Sequence, residues 1–282
     1  MKNPIFPLVS ISWLKNNLEH PNLIILDTTI KKVTSDDKTA VTNKIIPGAR
    51  FFDIKGMFSD KETNIPNMLP SPEVFEQGCR RLGIQQDSQI VVYDQLGIYS
   101  GPRVWWMFKA MGFHNVAVVD GGLPAWIDAN YPLEDLNSYA DIPYEKGNFK
   151  AAFKPNSVVS QEDVYAIMHN PDVLILDARS YGRFIGTEPE PRNDLKSGHI
   201  PGSISLPYTE VLADGKMKSV EELKIIFTAL DLGNKKLIFS CGSGITACII
   251  LLAAEIAGYS NLSVYDGSWS EWGLIEGLPI EC

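Results

Sequence analysis

Cys241 combines the residue type and the neighbours that a nucleophilic thiol needs. It opens the segment Cys241-Gly-Ser-Gly-Ile-Thr246, which contains Gly242 and Gly244. Glycine lets a backbone turn tightly and expose its N–H groups, and successive N–H groups that point inward bind anions. Such a loop favours the thiolate, which is the nucleophilic form of cysteine. The competing interpretation is a buried structural cysteine beside a glycine-rich turn, because free cysteine is among the most buried residue types.

The elements on either side of the loop favour the nucleophile. The apolar run Lys236-Leu-Ile-Phe-Ser240 predicts a buried strand, and an apolar helical stretch, 246–257, starts at Thr246, the expected N-cap. Ligands of open α/β sheets bind where parallel strands end, and a helix N-terminus adds partial positive charge there. We therefore expect Cys241 at an open rim, accessible and with a lowered pKa. Cys248, inside the helical stretch, is expected to be structural.

An internal repeat extends this pattern to the whole chain. Four features of the first half return in the second half in the same order and at a nearly constant offset, far longer than the repeat of a solenoid. The pairs are Leu23-Ile-Ile-Leu-Asp27 with Val173-Leu-Ile-Leu-Asp177, Ile46-Pro-Gly48 with Ile200-Pro-Gly202, Gln89-Ile-Val-Val-Tyr93 with Lys236-Leu-Ile-Phe-Ser240, and Val119-Asp-Gly121 with Tyr265-Asp-Gly267. A duplicated domain is the simplest explanation.

Strands that alternate with helices predict an α/β fold in each copy, with a parallel sheet flanked by helices on both faces. We expect a first domain over 1–132, a linker over 133–155 and a second domain over 156–282. The first copy has Asp94 where the second has Cys241. Asp94 offers no thiol, so the first domain is expected to be catalytically inactive.

Composition excludes several classes of protein. The chain has 282 residues and a net charge of −9, which argues against a nucleic-acid-binding protein. It has no apolar run of the roughly 20 residues that span a bilayer, and residues 1–17 lack the pattern of a signal peptide. Its four cysteines are too few for a disulfide scaffold and lack zinc-ligand spacing. We expect a cytoplasmic protein with reduced thiols, no membrane contact and no metal.

Several motifs in the same order resemble the 3-mercaptopyruvate sulfurtransferases of the rhodanese superfamily. They are Cys241-Gly-Ser-Gly-Ile-Thr246, Tyr265-Asp-Gly-Ser-Trp-Ser-Glu-Trp-Gly273, Tyr99-Ser-Gly-Pro-Arg-Val-Trp-Trp106 and Gly182-Arg-Phe-Ile-Gly-Thr-Glu-Pro-Glu-Pro-Arg192. The resemblance implies two tandem rhodanese-like domains and a sulfane sulfur carried as a persulfide on Cys241. It implies 3-mercaptopyruvate as donor, thiosulfate as a weaker one, and a thiol, a thioredoxin-like protein or cyanide as acceptor. No cofactor is expected.

The resemblance also assigns residues around Cys241. Gly242, Gly244, Ile245 and Thr246 complete the active-site loop, and Ser243 is expected to hydrogen-bond the donor or the departing enolate. Arg183 and Arg192 match the two arginines that bind the donor's carboxylate and keto oxygen. From composition alone, these arginines are solvated and neutralised by Glu188 and Glu190. The alternative for Ser243 is a helix cap, and Arg179 is more typical of a structural ion pair.

The choice of donor rests on charge. Thiosulfate is a dianion that favours basic residues in the loop, whereas Gly242 and Ser243 are neutral. Thiosulfate:cyanide sulfurtransferase activity, or a non-catalytic sulfur carrier, are the alternatives. A phosphatase with a Cys-x5-Arg loop is disfavoured, because Ala247 stands where the arginine is needed.

The chain departs from the family pattern in one place. The family's His-Met-Leu-Pro stretch is Asn67-Met-Leu-Pro70 here, and Lys55 stands at the family's Asp position. An asparagine cannot act as a general base. We expect a slower enzyme with a higher pH optimum than a relative that carries the histidine.

Overall fold

The computed structural model describes residues 7–30, 42–136 and 144–282. Contacts divide the chain into two units. The first comprises Met1–Asp60, Leu69–Phe153 and Asp214–Met217, and the second comprises Lys61–Met68, Lys154–Ala213 and Lys218–Cys282. The predicted domain bounds, 1–132 and 156–282 with a linker over 133–155, stay a prediction, and residues 1–6, 31–41 and 137–143 lie outside the described ranges.

The first unit has short strands and helices in alternation. Its strands are β1 (Leu8–Val9), β2 (Leu23–Asp27), β3 (Lys44–Ile45), β4 (Arg50–Phe51), β5 (Gln89–Tyr93), β6 (Val116–Val119) and β7 (Glu134–Asp135). Its helices are α1 (Ile11–Asn17), α2 (Pro72–Arg81), α3 (Gly101–Ala110) and α4 (Gly122–Asp128). Five of the strands form a parallel sheet in the order β1-β6-β5-β2-β4.

The second unit repeats this order. Its strands are β8 (Val158–Val159), β9 (Val173–Asp177), β10 (Ile204–Ser205), β11 (Leu212–Ala213), β13 (Lys236–Ser240) and β14 (Leu262–Tyr265), with β12 (Lys216–Met217) assigned to the first unit. Its helices are α5 (Gln161–Ile167), α6 (Tyr181–Phe184), α7 (Val220–Ala229), α8 (Ala247–Ile256) and α9 (Ser268–Trp272). A five-stranded parallel sheet has the order β10-β9-β13-β14-β8.

Side chains alternate between the two faces of each sheet, and both faces are covered. In the second unit, Ile175 and Ile238 pack with Trp269 and Trp272 of α9 on one face. The neighbouring residues Leu237 and Phe239 are equally buried, on the opposite face, as the period of a strand requires. α8 contacts β13 and β14 and is buried along almost its whole length. The predicted α/β fold, two domains with parallel sheets flanked by helices, is confirmed.

Strand bounds follow the apolar runs of the sequence, and the helix predicted after Cys241 differs by one residue at each end. The stretch predicted at 246–257 is helical over Ala247–Ile256, and its counterpart in the first unit is Gly101–Ala110. Gly112 and Gly258 follow these helices with φ of 77° and 97°, the left-handed conformation common after a helix C-terminus. No helix among the described residues combines the length and the apolarity needed to cross a bilayer.

Candidate active site

Cys241 directly follows β13 and lies at the carboxyl edge of the second sheet. The loop from Gly242 to Thr246 connects it to α8, and Gly244 adopts a φ of 76° there. Thr246 occupies the N-cap position of α8, as predicted, but its side chain makes no capping hydrogen bond. Cys248 is buried within α8 and its thiol is within hydrogen-bonding distance of the Gly244 carbonyl, at 3.4 Å, which fits a structural role.

The thiol is less accessible than the sequence predicts. Cys241 is only 1% exposed, so the expectation of an open rim is wrong for this structure. The N–H of Trp269 donates to the Cys241 carbonyl at 3.0 Å, and that of Ser270 donates to the Gly242 carbonyl at 2.8 Å. These bonds draw the loop onto α9. The neighbours Gly242 and Ser243 are more exposed than Cys241 and remain half-buried.

Ser268 holds the backbone of Cys241. Its hydroxyl accepts the Cys241 N–H at 3.2 Å and donates to the Tyr265 carbonyl at 2.8 Å. Ser268 is fully buried and has a φ of 50°, which non-glycine residues seldom adopt. Sequence reasoning missed this residue. The signal was available in the repeat, because Gly122 occupies the matching place after Asp-Gly in the first copy, with a φ of 53°.

The first copy shows how this type of loop binds an anion. Asp94 directly follows β5, as Cys241 follows β13. Its carboxylate accepts the backbone N–H groups of Leu96, Tyr99, Ser100 and Gly101 at 2.9, 2.9, 2.9 and 3.0 Å. We call this set of donors the amide cradle. Burial raises the pKa of the Asp94 carboxyl, and the hydrogen bonds from the cradle offset part of that effect.

The two loops share a framework. Asp94-Gln-Leu-Gly-Ile corresponds to Cys241-Gly-Ser-Gly-Ile, and the third residue after each is a glycine in the left-handed region, Gly97 with a φ of 99° and Gly244 with 76°. Both loops lead into a buried helix, α3 or α8. Cys241 therefore occupies the same position in its loop as Asp94, whose carboxylate the amide cradle binds, occupies in the first loop.

Ser243 contacts Asn67 within the second unit. The Asn67 side-chain amide donates to Ser243 Oγ at 3.1 Å and to the Ser243 carbonyl at 3.3 Å. The residue that replaces the family histidine thus lies beside the loop. Ser243 is not a helix cap, since α8 begins after Thr246.

Arg183 lies against the loop and is bound by a carboxylate. Its Nε and Nη2 donate to the two oxygens of Glu190 at 3.1 and 2.5 Å. A β-carbon built on Gly242 would lie 3.1 Å from Arg183 Nη2, so the guanidinium is adjacent to the loop backbone. Arg183 is thus paired with Glu190, as the compositional alternative proposed, although Glu188 bonds to Ser180 instead.

Glu190 also joins Arg183 to a buried ion pair. Arg179 Nη1 donates to Glu190 at 2.8 Å, and its Nη2 donates to Asp177 at 2.6 Å. The Arg179 and Glu190 side chains are 0% and 1% exposed. Burial acts to lower the pKa of Arg179, but the carboxylates of Asp177 and Glu190 outweigh it and raise that pKa. The predicted structural role of Arg179 is confirmed by these ion pairs.

Arg192 is placed differently from Arg183. Its Nη2 bonds to Asp194 at 2.6 Å and its side chain is 36% exposed. Arg192 therefore lies at the surface, with its charge matched by a carboxylate two residues on. The structure joins Arg183 to the Cys241 loop by direct proximity, and it records no such contact for Arg192 among the described residues.

Comparison with known proteins gives a consistent result. The Rhodanese-like domain family model matches residues 10–129 and 160–274. The 3-mercaptopyruvate sulfurtransferase of Escherichia coli (strain K12) is 39% identical over 277 residues, which cover 97% of each chain. The thiosulfate sulfurtransferase of Bos taurus is 38% identical over 276 residues, covering 94% of this chain and 91% of that protein. The crystal structure of SseA from Escherichia coli aligns with a TM-score of 0.82 and 36% identity over 94% of this chain and 100% of that chain.

Proposed function

The chain belongs to the rhodanese-like family, and from this we propose that it is a sulfurtransferase that moves sulfur from 3-mercaptopyruvate through a persulfide on Cys241. The proposal agrees with the names of relatives that match nearly its full length. The observation that carries it is the position of Cys241 in a loop whose counterpart binds the Asp94 carboxylate with four backbone N–H groups.

The first half-reaction transfers one sulfur atom. The Cys241 thiolate attacks the sulfur of 3-mercaptopyruvate, a bond forms between the two sulfurs, and the carbon–sulfur bond of the donor breaks. The electron pair of that bond goes to the carbon, giving the enolate of pyruvate, and the proton of the donor thiol ends on the same carbon. Pyruvate leaves, and Cys241 retains an anionic persulfide.

The second half-reaction returns the enzyme to its starting state. An acceptor thiolate attacks the outer sulfur of the persulfide, the bond between the sulfurs breaks, and the Cys241 thiolate is regenerated. We propose a small thiol, a reduced thioredoxin-like protein or cyanide as the acceptor, in the cytoplasm. Two separate transfers through one covalent intermediate give ping-pong kinetics.

Negative charge stays on or next to Cys241 throughout, which is why the loop matters. Preorganised N–H donors stabilise charge without reorganising during the reaction. We assign Gly242, Gly244, Ile245 and Thr246 to the loop that holds this charge. Ser243 is assigned as a hydroxyl donor to the departing enolate or to the sulfur.

The donor's carboxylate needs a cation, and Arg183 is suited to bind it. Glu190 occupies Nε and Nη2, while Nη1 makes no hydrogen bond to any residue in the described part of the chain. That nitrogen is available beside Gly242. We assign Arg192 to the same substrate, where its bond to Asp194 would have to open or be shared.

The neutral residues Gly242 and Ser243 favour a monoanionic donor over thiosulfate. Thiosulfate remains the second donor to test, because the relative from Bos taurus is named for it.

Intact-mass measurement tests the central step. The reduced protein is mixed with 3-mercaptopyruvate, and we expect a gain of one sulfur atom that Cys241→Ser abolishes. Cys282→Ser is the matched control, because Cys282 is an exposed cysteine outside the loop and its loss should leave sulfur loading unchanged. Sulfur that still loads on the Cys241→Ser variant would overturn the proposal. The same measurement with thiosulfate ranks the two donors.

A further inference from the structure

Asn67 has an unusual backbone conformation and a defined partner. Its φ is 62°, in the left-handed region that Asn, Asp and Gly adopt more readily than other residues. From this position its side chain reaches both the hydroxyl and the carbonyl of Ser243. The two residues are 176 positions apart in the chain, yet both belong to the second unit.

The carbonyl of Ser243 establishes which end of the amide faces the loop. A backbone carbonyl oxygen can only accept hydrogen bonds, so the Asn67 atom at 3.3 Å from it is the nitrogen, which can only donate. The same nitrogen lies 3.1 Å from Ser243 Oγ. Ser243 Oγ therefore accepts a hydrogen bond from Asn67, and its own hydrogen points elsewhere.

No acceptor for that hydrogen is found among the residues that the structure describes. Ser243 is half-buried and lies two residues from Cys241. Its hydroxyl thus remains available as a donor to a ligand at the loop.

We propose that Asn67 is a positioning residue that directs the Ser243 hydroxyl as a hydrogen-bond donor toward the sulfur site. The inference rests on the proposed function and specifies how this chain works without a histidine at this place. A carboxamide does not titrate, so the orientation it imposes on Ser243 is the same at every pH at which the protein is folded.

The charged groups nearby do not replace this contact. Lys61 and Glu62 belong to the same segment as Asn67. Arg183 lies against Gly242, and its charge is matched by Glu190. Cys241 is the reacting group. Among the residues that the structure describes, Asn67 is the hydrogen-bond partner of the Ser243 hydroxyl.

Two substitutions separate the amide from the backbone conformation. Asn67→Asp keeps the size of the side chain and a tolerance for positive φ, but an ionised carboxylate only accepts, so it would take the Ser243 hydrogen for itself. Asn67→Gly removes the side chain and adopts a φ of 62° without strain. Each is made in the native background and with Ser243→Ala.

The measurement is the rate of the first half-reaction, followed by mass as sulfur from 3-mercaptopyruvate loads onto Cys241 in a single turnover. At a pH where Asp is ionised, we expect Asn67→Asp to slow loading about 10- to 100-fold, the range for a hydrogen bond to a charged group. Asn67→Gly should slow it less, because the freed hydroxyl can still turn toward the ligand. In the Ser243→Ala background, both substitutions should have no further effect.

The outcomes separate this inference from the proposed function. Normal loading by Asn67→Asp, or an equal loss with and without the Ser243 hydroxyl, would overturn the positioning role while Cys241 chemistry stands. Absence of any sulfur on native Cys241 would overturn both. Thermal unfolding of each variant checks that it is folded, and Asn67→Gly carries the test if Asn67→Asp does not fold.

Discussion

The hydroxyl of Ser268 accepts the backbone N–H of Cys241 at 3.2 Å, from a residue with a φ of 50°. The contact joins α9 to the first residue of the loop and gives a partner to a buried donor that would otherwise have none. An unsatisfied buried N–H costs about 1–3 kcal/mol. Ser268 thus links the position of Cys241 to α9, which packs against the sheet of the second unit.

Two substitutions of Ser268 should separate its hydrogen bond from its backbone conformation. Ser268→Gly removes the hydroxymethyl side chain but adopts the positive φ without strain, and we expect loss of the hydrogen bond to lower the free energy of unfolding by about 1–3 kcal/mol. Ser268→Ala should cost more, because alanine must also adopt the positive φ. Urea unfolding of the two variants measures the difference, and an alanine variant as stable as the glycine variant would contradict the strain at this position.

Much of this architecture is predictable from the sequence, for a physical reason. Strands buried on both faces are continuous apolar runs, so Val173–Asp177 and Lys236–Ser240 have the bounds that their sequence indicates. The position of Cys241 after its strand follows from these bounds. The pairing of Asn67 with Ser243 could not be derived in this way, because no local pattern relates residues 176 positions apart.

Burial was the other property that local sequence could not provide. The glycines of the loop indicate a tight turn, but the 1% exposure of Cys241 depends on bonds that α9 makes to the loop. Likewise, Arg183 and Arg192 are two arginines of the same motif, and the sequence does not distinguish them. In the structure, Glu190 holds Arg183 beside Gly242, whereas Arg192 pairs with Asp194 near the surface.

Glu190 should matter for stability far more than its neighbour Glu188. Glu190→Gln removes one charge from a buried group that binds Arg179 and Arg183, and breaking a buried ion pair costs about 3–5 kcal/mol. The glutamine keeps some hydrogen bonds, so we expect a loss at the lower end of that range. We also expect a raised KM for 3-mercaptopyruvate, because Glu190 holds Arg183 beside Gly242. Glu188→Gln is the matched control, because Glu188 is exposed and bonds to Ser180. Equal unfolding free energies for the two variants would contradict the role of Glu190.

Glu271 gives a prediction about pH. Burial, together with the nearby acidic groups Glu162 and Asp266, raises the pKa of Glu271, although the neighbouring Tyr265 hydroxyl acts to lower it. A carboxyl group whose pKa is higher in the folded state contributes stability at low pH and loses that contribution as the pH rises through the folded value.

Glu271→Gln should therefore make the protein more stable than the native chain at neutral pH, and this gain should disappear below the ordinary pKa of glutamate. Unfolding free energies measured from acidic to neutral pH test this. The exposed Glu276→Gln serves as the control and should show no such trend. A gain that is independent of pH would point to a cause other than the charge of Glu271.

Asn67→His tests the effect of a titratable group beside Ser243. A neutral imidazole has a pKa near neutral pH, so it can take up the Ser243 proton and return it as a general base; a carboxamide does not titrate, and the carboxylate of Asn67→Asp is too weak a base to do this. We expect the variant to turn over 3-mercaptopyruvate faster than the native chain above the histidine pKa of about 6.5, and to have a lower pH optimum. Steady-state rates across pH measure both. A variant with an unchanged rate and pH profile would show that a histidine at this place contributes nothing to this enzyme.

Asp94 allows the amide cradle to be tested without the reaction. Asp94→Ala leaves the N–H groups of Tyr99, Ser100 and Gly101 without their acceptor, and we expect a loss of about 2–4 kcal/mol in the free energy of unfolding. Asp94→Asn should lose less, because its carbonyl oxygen can still accept these bonds.

Formate supplies the missing carboxylate, so it should raise the melting temperature of Asp94→Ala more than that of the native chain, whose cradle already holds an anion. Chloride at the same ionic strength controls for salt. If formate stabilises both proteins equally, the cradle does not select an anion. The charge on Cys241 would then need another source of stabilisation, because its loop corresponds to the first five residues of the Asp94 loop and also leads into a buried helix.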